Sequence, residues 1–161
     1  MVKFSVKLLS TFFYIGYLPL IPGTFGSLAG VVLFFLVKIT ALNYTLFTLA
    51  IIVLGFLVCG QAEKAAQKKD PSCVVIDEVS GMLLSFLFIP YDIKLVIIAF
   101  ILFRILDMLK PYPAGRLERL KGSVGIMSDD LIAGLYTNLI LQVVIRVTSF
   151  KVSQSISGVI F

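Results

Sequence analysis

Apolar residues in this chain come in unbroken runs rather than at the spacing of an amphipathic surface helix. Residues 25–37, 41–60, 79–91, 95–103 and 131–145 contain no charged side chain. At about 1.5 Å per residue, the run 41–60 reaches across a hydrocarbon core of about 30 Å. The other runs reach that length only if the charged residues at their ends join the helix. In a membrane, such ends face a protein interior or a wet cavity. The pattern predicts an all-α, multi-pass membrane protein with about five apolar helices, in a single domain over 1–161. The stretch 4–21 carries only Lys7 and is broken by Pro19 and Pro22-Gly23. It is expected as an interfacial or re-entrant helix rather than a signal peptide, although Ser27-Leu28-Ala29 has the look of a cleavage site.

Composition strengthens the membrane reading and narrows the chemistry. The 161 residues are 59% apolar and 14% charged, with nine acids and no His; mean hydropathy is +1.05. Without His there is no Ser-His-Asp triad, no HExxH zinc site and no His-dependent phosphatase. Cys59 and Cys73 form no CxxC, and the sixth residue after each is Ala65 or Val79 rather than the Arg of a Cys phosphatase loop. Both thiols read as small buried apolar residues. No DxD of the aspartyl-phosphate enzymes and no Asp-Gly of the CDP-alcohol phosphotransferases is present.

Net charge is +5, and the bases suggest an orientation. With the N-terminus inside and five alternating helices, the inner side holds Lys3, Lys7, Lys64, Lys68, Lys69, Lys110, Arg116, Arg119 and Lys121. Lys38, Lys94, Arg146 and Lys151 fall outside, and Arg104 within a helix. This is the bias of cytoplasmic loops, and it leaves little basic surface for nucleic acid.

That topology gathers polar clusters from four helices at one membrane face. Arg104, Asp107 and Lys110 recur every third residue, so they share one helical face, as a salt-bridge stripe or as a carboxylate with two cations for phosphate. Asp77 and Glu78 point about 100° apart on a helix and can line one cavity, though hardly bind one ion identically. If Ser72 caps that helix, both lie beyond its first turn, where a helix-dipole effect has faded. Asp129 and Asp130 open the last apolar run, where ordinary N-terminal capping would also explain them. Pro22-Gly23-Thr24 reads as a plain turn or as an anion site at a helix start.

These residues together resemble the phosphatidylglycerophosphatase A family. The resemblance rests on Pro22-Gly23-Thr24-x-Gly26-Ser27, Asp77-Glu78-x-x-Gly81-Met82, Phe103-Arg104-x-x-Asp107-x-x-Lys110-Pro111 and Gly125-x-Met127-x-Asp129-Asp130-x-x-Ala133-Gly134. It implies an Mg²⁺-dependent phosphatase of a bacterial inner membrane. The substrate would be phosphatidylglycerophosphate, the product phosphatidylglycerol, and the site would face the cytoplasm. Hard Mg²⁺ suits a carboxylate cluster without His. The expectation is that Asp77, Glu78, Asp107, Asp129 and Asp130 share metal binding and water activation. Arg104 and Lys110 would hold the phosphate, with Thr24 and the Gly23 backbone as auxiliary donors. A covalent aspartyl-phosphate through Asp77 or Asp129 is the other mechanism the residues allow. The rival function is a small transporter relaying cations or protons through the acids and Arg104, but such sites belong near mid-bilayer rather than at helix ends.

Overall fold

A computed structural model describes residues 4–37 and 40–157, and of 148–157 the backbone alone. Lys3 and Lys38, and the side chain of Lys151, lie outside the described residues, as does the end of the tail. The described residues form helices and no strand: α1 (Phe4–Ser10), α2 (Pro22–Val37), α3 (Ala41–Ala66), α4 (Ile76–Ser85), α5 (Ile93–Leu109), α6 (Ala114–Leu117) and α7 (Ser123–Ser157), with a 3-10 turn at Ile15–Tyr17.

Local chemistry sets most of the boundaries. Pro22 opens α2, at the position where its missing N–H costs nothing. The Thr40 hydroxyl accepts the Asn43 N–H at 3.1 Å and starts α3. The Asp92 carboxylate does the same for Lys94 at the head of α5. α5 ends as Lys110 turns left-handed before Pro111.

Two boundaries differ from the sequence expectation. α4 is confined to Ile76–Ser85, about 15 Å long, too short to cross a bilayer as a helix. α7 begins at Ser123, well before Asp129. Partners distant in sequence place that start, since Ser123 accepts the Gly60 N–H at 2.7 Å and Glu63 accepts the Gly122 N–H at 2.6 Å.

The helices α2, α3, α4, α5 and α7 run alternately up and down. The Tyr44 hydroxyl near the head of α3 donates to the Leu83 carbonyl near the end of α4, and Tyr91 donates to Phe34 near the end of α2. At this end Phe34 stacks on Phe86 and Tyr91. At the other end the heads of α2, α4 and α7 meet the tails of α3 and α5. Here α1 lies along α3, and Val6, Val58, Cys59, Val74, Ile126 and Met127 form a second core. The N-terminal segment is thus a short helix and a turn folded over the α3–α4 connection, where Ser10 accepts the Val75 N–H at 3.0 Å. Cys59 is buried and Cys73 partly so, both as free thiols.

α4 is the hub, packed by α2, α3, α5 and α7. Close approach explains how. Gly26 and Gly30 of α2 lie against Val75 and Met82, and Gly81 meets Gly134 backbone to backbone across the α4–α7 crossing. Among the described residues, α3 and the stretch Ser123–Val147 of α7 are long and apolar enough to cross a membrane.

Candidate active site

The helix ends that gather beside α1 enclose an open cavity of about 380 Å³. Its walls include Pro22 and Gly23 from the head of α2, Asp77 and Glu78 from α4, and Arg104, Asp107 and Lys110 from the end of α5. Asp129 and Asp130 of α7 close it. Eight of the nine expected site residues therefore converge from four helices. Thr24 is the exception: it is not among the lining residues, and its backbone N–H is taken by the Ile21 carbonyl at 3.0 Å.

The acids divide into two groups. Asp77, Glu78 and Asp130 each offer one oxygen to a group whose atoms all lie within 4.8 Å of one another. Asp77 and Asp130 are buried and Glu78 partly so. Asp77 Oδ1, Glu78 Oε2 and Asp130 Oδ1 have no hydrogen-bond partner. Adjacent residues on a helix thus line one cavity, as the 100° spacing allowed, and each brings one oxygen within 4.8 Å of the others. Asp107 and Asp129 are instead paired with cations. Asp107 binds Arg104 at 2.8 Å, and Asp129 binds Lys110 at 2.7 Å through Oδ2, while its Oδ1 is unpartnered.

Both explanations by helix ends change. α4 starts at Ile76 with Val75, not Ser72, at its cap, so Asp77 and Glu78 do stand in its first turn. The helix dipole then favours their negative charge by about 0.3–1 kcal/mol. That is small against the cost of three converging buried carboxylates. Asp129 and Asp130 lie inside α7, beyond its first turn, so capping does not account for them.

The cations are held from several sides. Arg104 reaches Ser27 Oγ at 3.4 Å as well as Asp107. Lys110 also pairs with Glu118 at 3.0 Å. Burial works against the Lys110 ammonium, but its hydrogen bonds to Asp129 and Glu118 outweigh that and raise its pKa, so it stays charged. Gly23 makes room for the whole arrangement, since a side chain there would meet Glu78 Oε1 and approach Arg104 Nη1.

Three contributors escape the sequence. Asp70 and Ser72 line the cavity, where the sequence offered Ser72 only as a helix cap. Glu118 carried no signal, because its role depends on the α6 segment folding back on Lys110.

The donor set suits a hard divalent cation. Three carboxylates with unsatisfied oxygens within 4.8 Å of one another repel each other, and oxygen ligands are what Mg²⁺ takes. The sequence model of the phosphatidylglycerophosphatase A family matches residues 8–145, which contain every residue lining the cavity. The chain belongs to that family. Among curated relatives of this phosphatase, an Escherichia coli K12 protein named phosphatidylglycerophosphatase A is 37% identical, over 83% of this chain and 80% of its own. A Haemophilus influenzae protein of the same name is 32% identical, over 84% and 86%. A Bacteroides thetaiotaomicron protein with the provisional name phosphatidylinositol-3-phosphatase is 38% identical, over 88% and 94%. No solved structure matches significantly. The chain is thus an enzyme, a phosphatase, as its motifs led one to expect.

Proposed function

We propose that this phosphatase removes the terminal phosphate of phosphatidylglycerophosphate, giving phosphatidylglycerol and inorganic phosphate, with Mg²⁺ as cofactor. The site would face the cytoplasm of a bacterial inner membrane. The observation that carries the reading is the unpartnered Asp77–Glu78–Asp130 cluster in the same cavity as Arg104 and Lys110. A phosphomonoester has both needs at once: cations for its oxygens and a site that can activate water.

In this reading Asp77, Glu78 and Asp130 hold Mg²⁺, which when bound would supply Lewis-acid neutralisation of phosphoryl charge. Arg104 and Lys110 orient the phosphate and offset the charge that develops as the ester bond breaks. Asp129, with Oδ1 free and Oδ2 anchored by Lys110, accepts a proton from the attacking water. The water oxygen joins phosphorus as the bond to the glycerol oxygen breaks; that oxygen takes up a proton from solvent water, and Asp129 returns the one it accepted, so the step balances. Asp107 holds Arg104 in place.

The same reading takes α2, α3, α5 and α7 as spans, with α4 and the turns after it as the remaining crossing. The basic ends then face inward.

The test is phosphate release from phosphatidylglycerophosphate in detergent. Wild type is expected to be active with Mg²⁺ and inactive after chelation. Asp77→Asn should lose about 10²–10³-fold in kcat. Equal rates for the two proteins would remove Asp77 from the catalytic centre, and activity that survives chelation would remove the metal.

A further inference from the structure

The rim of the cavity is uneven in character. Part of it is Asp70 and Ser72, both polar and exposed. Elsewhere on the rim, Ile21 and Met108 line the same cavity yet are 54% and 76% exposed, so apolar side chains at the head of α2 and the end of α5 border its mouth. Met108 stands one turn beyond Arg104 on its face of α5. Below it, Ile97 and Ile101 continue an exposed apolar stripe along α5. Leu28 and Val32 do the same along α2, starting seven residues after Ile21. Exposed apolar residues also run along α3 and α7, but the tracks on α2 and α5 are the ones that start at side chains lining the cavity.

We infer that this opening is a lateral portal for the acyl chains of the lipid substrate, with Ile21 and Met108 as its specificity-determining posts. This rests on the lipid phosphatase reading above. The phosphomonoester sits against Arg104 and Lys110, the glycerol backbone passes between Ile21 and Met108, and the chains lie along the α2 and α5 stripes in the bilayer. The portal recognises the diacyl part and leaves the headgroup to the cavity.

The experiment compares wild type with the double variant Ile21→Asn, Met108→Gln on long-chain phosphatidylglycerophosphate in mixed micelles. A control double variant, Val53→Asn, Leu57→Gln, places the same polarity on the exposed face of α3, which contributes nothing to the cavity. The portal variant is expected to raise KM about tenfold with kcat within about twofold, and the control to move neither. The portal is refuted if its variant leaves KM unchanged, if the control raises KM equally, or if kcat falls while KM holds. A wild-type protein with no activity on this lipid would instead overturn the proposed function.

Discussion

At Gly81 a single missing side chain decides where three carboxylates stand. A Cβ there would lie 2.6 Å from the Asp130 carbonyl oxygen and 2.8 Å from the Phe103 ring. A backbone carbonyl on a packed helix cannot give way cheaply, so α4 and α7 would have to part, carrying Asp130 away from Asp77 and Glu78. Gly81→Ala should therefore cost about 1–3 kcal/mol of stability. It should also weaken the apparent Mg²⁺ affinity by about tenfold, the usual scale for disturbing a ligand's support. Thermal unfolding in detergent and a Mg²⁺ titration of activity check the two effects separately. The motif Asp77-Glu78-x-x-Gly81 was visible in the sequence, but only as spacing. That Gly81 works by admitting a backbone, one turn from the acids, depends on a residue 53 positions away along the chain, Gly134. Glu118 is the converse case: an ordinary charged residue until α6 brings it to Lys110. Glu118→Gln leaves Lys110 its Asp129 partner, and activity is expected to fall by less than about tenfold, since the lost pair is partly exposed. A loss as large as that of Asp77→Asn would mean that Glu118 acts in the chemistry itself.

α4 shows what an element can be when its neighbours rather than its own length sustain it. It ends at Ser85, buried among its neighbouring helices, where unpaired carbonyls are costly. Asn138 of α7 meets that need, donating through Nδ2 to Ser85 at 3.0 Å and Leu87 at 2.7 Å, while Tyr44 caps Leu83. Asn138→Leu keeps the volume and removes the donor. It should destabilise the protein by about 1–3 kcal/mol, read as a lower unfolding midpoint, with little change in kcat because the site lies at the opposite end of α4. An unchanged midpoint would show that water or another donor takes over. The apolar run 79–91 announced a helix of ordinary length because hydropathy counts apolar residues, whatever their backbone does. The turns after Ser85 are as apolar as the helix before them.

For the molecule as a whole, alternation of helix direction puts the basic ends and the cavity on one side, which is the arrangement that the charge bias had suggested. A cysteine placed at exposed Arg119 tests the orientation, with the unaltered chain as blank because Cys59 is buried and Cys73 half-buried. An impermeant maleimide should label Arg119→Cys only after the inner membrane is permeabilised. Labelling of intact cells would place the catalytic cavity on the outer face.

The sequence by itself determined the helical class, the ends at which polar residues would meet, the family and the charged core of the cavity, but not Ile21, Asp70, Ser72, Val74 or Met108 in its lining. Each of these follows from local composition or from ordered motifs, and both survive without knowledge of contacts. Only the tertiary structure decided which acids share a point and which are tied to cations. It also decided that Thr24 does not line the cavity, that α4 stops short, and that Ile21 and Met108 stand at the cavity's edge. Those facts depend on how closely two helices approach and how they are rotated about their axes. Approach and rotation are set by pairs such as Gly81–Gly134 and Gly60–Ser123, whose members lie far apart in the chain and carry no mark of one another.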